Sequence, residues 1–151
     1  MNSDDQSFVF WVGEIVDKAI VNMALSQEIN VLDIHKGVFI YLLLLAKRKK
    51  YDKEKIMKIL DFMPYKSGLI SAFVEGALEE MRGYQDIYVS GKGEQIKIKS
   101  SQKAMSMPEY RLDEDEQKVL NLIWPLNQWD VEVMLNEINE NEKMAKEGAK
   151  A

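Results

Sequence analysis

The chain has 151 residues, a length that fits one domain with its own hydrophobic core. Apolar residues make up 46% and charged residues 30%, as is ordinary for a globular protein, and the net charge is −5. Cysteine is absent, which excludes disulfide bonds, thiol catalysis and cysteine-ligated metal sites and fits a reducing, cytoplasmic location. The longest apolar run, GVFIYLLLLA at 37–46, is about half the length that spans a bilayer, so we expect a core helix there and no membrane anchor.

Four helices are predicted in the first part of the chain. Apolar residues at helical spacing indicate an amphipathic helix over 7–25. Asp33 is the expected N-cap of a second helix, which ends in the basic run AKRKK, and Asp52 is the expected N-cap of a short third helix. A fourth helix is predicted over 65–84, with Gly83 as its stop signal.

The hydrophobic period changes after the fourth helix. In DIYVSGKGEQIKIK, Ile96 and Ile98 alternate with Lys97 and Lys99, which predicts a β-hairpin with a turn at 90–94. A polar connector then leads to a helix over 113–124 with an acidic first turn and to a last helix over 126–145. The expected fold is a single domain over 1–151, mainly α with one β-hairpin.

Charge is unevenly distributed along this acidic chain. Seven basic and two acidic residues lie in 47–58, and four lysines stand against one acid in 91–103. Ten acids and two bases lie in 109–142. Segregated charge of this kind predicts that one surface could face an anion although the whole protein is acidic.

The order of elements over 33–99 is helix, short helix, turn, helix and β-hairpin. This order resembles a winged helix-turn-helix core. With flanking helices at 7–25 and 113–145, the chain also resembles the dimeric regulators of the multiple-antibiotic-resistance type, in which long terminal helices form the dimer. The resemblance implies a transcriptional regulator that binds double-stranded DNA as a homodimer.

The resemblance also implies which residues would touch DNA. The N-terminal part of the fourth helix, near Tyr65, would lie in the major groove, and the hairpin would act as a wing on the phosphate backbone. The expected base-reading residues are Lys66, Ser67 and Ser71. The expected phosphate contacts are Lys92, Lys97 and Lys99 of the wing and Lys47, Arg48, Lys49 and Lys50 of the basic run.

An alternative is a protein-interaction module of the same fold that does not bind DNA. The acidic C-terminal helices, with Trp124 and Trp129, would then form the partner face, and the hairpin lysines would only keep an edge strand from aggregating. The acids of the fourth helix favour this hypothesis. Trp11, like the other tryptophans, could belong either to the core or to an interface.

The sequence contains no constellation that predicts an enzyme. No activated nucleophile with a base in reach can be identified, and no cofactor or metal is expected. His35 is the only histidine, and a lone histidine near a helix start indicates a structural role. The run DEDE at 113–116 fits helix capping better than metal binding, because consecutive helical residues point in different directions.

Overall fold

The computed structural model describes residues 3–65 and 68–125. The predicted last helix over 126–145 lies outside the described residues. Lys66, Ser67 and Trp129, which the sequence nominated for DNA or partner contacts, lie outside them too.

The described chain is mostly helical with short antiparallel strands, so the expected class, mainly α with a hairpin, is confirmed. Its helices are α1 (Ser3–Met23), α2 (Val31–Lys49), α3 (Lys53–Leu60), α4 (Ala72–Gly83), α5 (Gln102–Met105) and α6 (Glu114–Ile123). Its strands are β1 (Ile29–Asn30), β2 (Met63–Tyr65), β3 (Gly68–Ile70), β4 (Ile87–Ser90) and β5 (Lys97–Ser100).

Local capping signals set most helix starts. The Asp52 carboxylate accepts a hydrogen bond from the Lys55 backbone N–H at 3.1 Å, as predicted for α3. The prediction of Asp33 as the cap of α2 was wrong, because the helix begins at Val31, three residues earlier than a cap at Asp33 would place its start. Asn30, the last residue of β1, takes the role by accepting from the Leu32 N–H at 2.9 Å.

The predicted fourth helix begins seven residues later than expected, at Ala72 instead of Tyr65. The chain before it forms a small hairpin, in which β2 and β3 pair with Met63 opposite Ile70. Proline cannot donate a hydrogen bond inside a helix and glycine weakens one, so the stretch containing Pro64 and Gly68 favours this hairpin over helix.

The predicted hairpin is present, and β1 adds a third strand to it. The sheet has the order β1-β5-β4, with both pairs antiparallel. Val89 pairs with Ile98 on one side of β5, and Ile29 pairs with Ile98 on the other. The sequence did not reveal β1, because a strand of two residues has no readable period.

Helix α2 runs through the centre of the described fold. Helices α1, α3 and α6 and strands β1 and β3 pack against it, and Tyr41, Leu42 and Leu45 on α2 are fully buried. The apolar run at 37–46 is therefore a core helix, as predicted. Within residues 3–65 and 68–125, no helix combines the length and the hydropathy needed to cross a bilayer.

Candidate functional site

One exposed face of the three-stranded sheet is basic. Ile98 and Ser100 of β5 point inward, whereas Lys97 and Lys99 are exposed. Residues directly opposite each other in an antiparallel pair share a face, so Ser90 lies beside Lys97 and Tyr88 lies beside Lys99. We call this surface the sheet face: it consists of Tyr88, Ser90, Lys97 and Lys99, with the exposed Lys92 at the turn.

The three lysines of the sheet face are free to bind an anion. None of them forms an ion pair with another residue in the described part of the chain. Tyr88 is 61% exposed and lines a cleft of about 410 Å³ together with Ser26, Lys99 and Lys103. The sheet face thus offers ammonium, phenol and hydroxyl groups to one ligand surface.

The basic run at the end of α2 has a different role in the fold. Arg48 Nε donates to Asp115 Oδ1 at 2.8 Å, and Lys49 Nζ donates to Asp113 Oδ2. The hydrogen bond to Asp113 raises the pKa of Lys49 above its ordinary value. Two of the four residues of the predicted phosphate-binding run, Arg48 and Lys49, therefore form ion pairs with α6 and its N-cap.

The basic run also lies far from the sheet face. Asn30 pairs with Lys97 and directly precedes α2, so the sheet stands at the N-terminal end of that helix. At 1.5 Å per residue, Lys47 is roughly 24 Å further along the helix axis. The structure therefore does not bring the wing lysines and the basic run into one patch, although Lys47 and Lys50 are exposed.

The prediction that Ser71 reads bases was wrong, because its side chain is fully buried. Its hydroxyl donates to the Leu60 carbonyl at 2.6 Å and accepts from the Val74 N–H, which caps α4. Its backbone N–H donates to His35 Nδ1 at 3.1 Å. A hydroxyl held in this way has no free side for DNA.

His35 completes this buried group of hydrogen bonds, which we call the His35 node. Its ring is fully buried, and Nε2 lies 2.6 Å from Glu75 Oε1. Because Nδ1 accepts the Ser71 N–H, Nε2 is the protonated nitrogen and donates to Glu75. His35 therefore ties α2 to the start of α4, in agreement with the structural role expected for it.

The surface of α4 is poorly suited to reading bases. Its exposed positions include the small residues Ala72 and Gly76 and the acids Glu79 and Glu80. Arg82 is its single basic residue. Major-groove readout uses long hydrogen-bonding side chains such as Arg, Lys, Asn and Gln, which this helix otherwise lacks.

Trp11 and Trp124 are packed within the fold. The Trp11 ring meets the Tyr51 ring edge-on at 4.7 Å between centroids. Trp124 Nε1 donates to the Met23 carbonyl at 2.9 Å, and its ring lies so close to Gly37 that a Cβ there would be only 2.9 Å from it. Both tryptophans are half-buried against the core, which is the first of the two roles left open by the sequence.

The acids at the start of α6 are engaged inside the molecule. Besides the two pairs with the basic run, Glu116 accepts from Lys18 Nζ at 2.7 Å and closes a capping box with Asp113. The partner face predicted for the acidic C-terminal helices is therefore neutralised over this turn, where Glu114 pairs with Lys118.

A second acidic group surrounds Asp17 on α1. Burial raises the pKa of Asp17 from 3.8 to about 7, with further contributions from Glu80, Asp86 and Glu14. Sequence analysis missed this group, because its members come from α1, α4 and the segment before β4.

Replacing Asp17 with asparagine is expected to stabilise the fold at about pH 8 and to have little effect at about pH 4. The folded state holds the Asp17 proton up to about pH 7, whereas the unfolded state releases it near 3.8, so wild-type stability falls as pH rises through that window. Allowing for solvent screening of this partly exposed group, the gain at about pH 8 is about 1–2 kcal/mol. Urea unfolding at both pH values measures it. The exposed Glu28→Gln serves as control, and an equal gain in that variant would contradict the prediction.

Comparisons with protein-family models, curated proteins and solved structures found no match to this chain. Among residues 3–65 and 68–125, no three histidine or acidic side chains converge in a way that could hold a metal ion.

Proposed function

We propose that this protein is a cytoplasmic transcriptional regulator of winged-helix type that docks on duplex DNA through its sheet face. The observation that carries the proposal is the set of three exposed lysines without an ion pair in the described chain: Lys99 beside Tyr88, Lys97 beside Ser90, and Lys92 at the turn. The order α2, α3, α4, β4, β5 supports it, because this order resembles that of a winged helix-turn-helix, although the small β2–β3 hairpin stands between α3 and α4.

The β4–β5 hairpin, as the wing, provides the proposed contacts to DNA. The three lysines neutralise phosphates, and the Tyr88 and Ser90 hydroxyls donate to phosphate oxygens. The described residues of α4 contribute no base-reading side chain. The carboxylates of this helix would be repelled by the phosphate backbone of DNA. We propose a homodimer, because two copies would present two sheet faces to one duplex.

Changing Lys92, Lys97 and Lys99 together to alanine is expected to weaken binding to a mixed-sequence duplex by about 10- to 100-fold at low salt. Each lost phosphate contact removes about 0.9 from the slope of log affinity against log salt, so the slope should fall by up to about 3. Fluorescence anisotropy of a labelled duplex at low and physiological salt measures both quantities.

A variant of equal charge provides the control. Lys47, Lys50 and Lys58 are exposed and none of them belongs to the sheet face. Their joint change to alanine lowers the net charge by the same amount. We expect this control to retain most of the affinity. Equal losses in the two triple variants would show that net charge alone attracts DNA, and no binding by the wild type at low salt would overturn the proposal.

The second candidate is a winged-helix protein-interaction module that does not bind DNA. The acidic residues of α4 favour it: Glu75, Glu79 and Glu80. A helix that reads DNA would carry basic side chains at such positions. On this hypothesis the sheet lysines only keep the exposed face of the sheet hydrated, because Lys97 and Lys99 lie on β5, the middle strand, and not on the β4 edge where the sequence placed their protective role. The anisotropy experiment separates the two candidates.

A further inference from the structure

A groove of about 580 Å³ runs between α1 and α4. Gly13 on α1 lies against the ring of Phe73 on α4, and Gly76 has open space where a side chain would stand. Small residues on both helices thus leave a trough between them, and no residue that lines it belongs to the sheet face.

The two ends of the groove differ in chemistry. Val9, Phe10 and Ala72 line one end, and the Phe10 side chain is 70% exposed, which is unusual for an aromatic ring without a partner. Glu14, Asp17 and Glu80 line the other end. The groove therefore passes from an apolar end to an acidic end along the direction of α1.

Among residues 3–65 and 68–125, no basic side chain lines the groove. The nearby lysine of α1, Lys18, is bonded to Glu116, and Lys103 lies 3.3 Å from Asp86. Burial is the main cause of the raised pKa of Asp17, and repulsion by the neighbouring acids raises this pKa further. A ligand that brings positive charge to this end would relieve their mutual repulsion.

Charge also decides among the possible occupants. The segment 126–151 of this chain carries six acids and three lysines, a net charge of −3. The same groove on a second copy would place acids against acids, which is unfavourable. Neither occupant brings a net positive charge to the acidic end.

We propose that the α1–α4 groove binds a basic amphipathic helix of a partner protein. Apolar side chains at helical spacing would lie along Phe10, Ala72 and Gly76, and Lys or Arg would pair with Glu14 and Glu80. This proposal is independent of DNA binding, because the groove and the sheet face share no residue.

The test uses synthetic helical peptides of about 18 residues, with leucines at i, i+3, i+4 and i+7 positions and a charged cluster at one end. One peptide carries lysines in the cluster and its twin carries glutamates. Fluorescence anisotropy of the labelled peptides against the full chain measures affinity. We expect the lysine peptide to bind and the glutamate peptide to bind at least about tenfold more weakly.

Two variants locate the site. A Cβ at position 76 meets no atom within 4 Å, so Gly76→Leu can extend into the trough and should weaken lysine-peptide binding at least about tenfold. Gly83→Leu, also in open space on α4 but outside the groove, should not. Both replace a helical glycine by a better helix former, so loss of fold is not expected. Joint Glu14→Lys and Glu80→Lys should reverse the preference toward the glutamate peptide.

Three results would overturn the proposal. The first is no wild-type binding of the lysine peptide up to about 1 mM. The second is equal binding by wild type and Gly76→Leu. The third is concentration-dependent self-association of the wild type that Gly76→Leu abolishes, since a second copy would then be the occupant. Loss of DNA binding in the sheet-face variant with peptide binding intact would leave this proposal standing.

Discussion

Replacing His35 with alanine is expected to lower the free energy of unfolding by about 3–4 kcal/mol. The imidazole is fully buried and joins α2 to α4 through the Ser71 N–H and the Glu75 carboxylate. Its removal leaves a cavity and a buried N–H without an acceptor, and both effects destabilise. Urea unfolding followed by circular dichroism measures the change.

Two further variants separate the contributions to this node. His35→Asn keeps an acceptor near the Nδ1 position and should lose less stability than His35→Ala. Glu75→Ala removes only the half-exposed partner and should cost about 1 kcal/mol or less. If Glu75→Ala were as destabilising as His35→Ala, the His35–Glu75 hydrogen bond rather than the buried contact with the Ser71 N–H would hold the two helices together.

Replacing Glu116 with alanine is expected to cost about 3 kcal/mol of unfolding free energy. Glu116 is 3% exposed, accepts from Lys18 and accepts the backbone N–H of Asp113 in the capping box. The substitution leaves a largely buried ammonium group without its partner and one helix-end N–H without an acceptor. Chemical unfolding measures the loss.

Glu114 provides the matched control for Glu116. It lies in the same first turn but is exposed, with Lys118 as its partner at i+4, so Glu114→Ala should change stability by less than about 0.5 kcal/mol. A second readout is the fluorescence of Trp124, which directly follows α6 and is bonded to Met23. Equal stability of both variants would contradict the buried-pair interpretation.

These two nodes explain how the candidate surfaces are positioned. The His35 node sets the start of α4, which forms one wall of the α1–α4 groove. The Glu116 pair joins α6 to α1, which forms the other wall. Stability variants at either node are therefore unsuitable for testing DNA or peptide binding, and the proposed binding tests use exposed residues and open glycines instead.

Local patterns in the sequence determined much of the fold. The alternation of Ile96 and Ile98 with Lys97 and Lys99 is a property of neighbouring residues, and it predicted both the hairpin and the exposure of the two lysines. Asp52 and Asp113 cap their helices through bonds to residues three positions ahead, which sequence can reveal.

Only the tertiary structure decided which polar groups remain free to act. Arg48 and Lys49 meet acids that lie 67 and 64 positions later in the chain, and nothing in the local run AKRKK predicts this neutralisation. The residues around Ser71 in the sequence are typical of an exposed helix start, yet Ser71 is buried and forms hydrogen bonds with His35 and Leu60. The physical reason is common to all three: whether a polar side chain faces water or a distant partner depends on packing between elements, which no local pattern records.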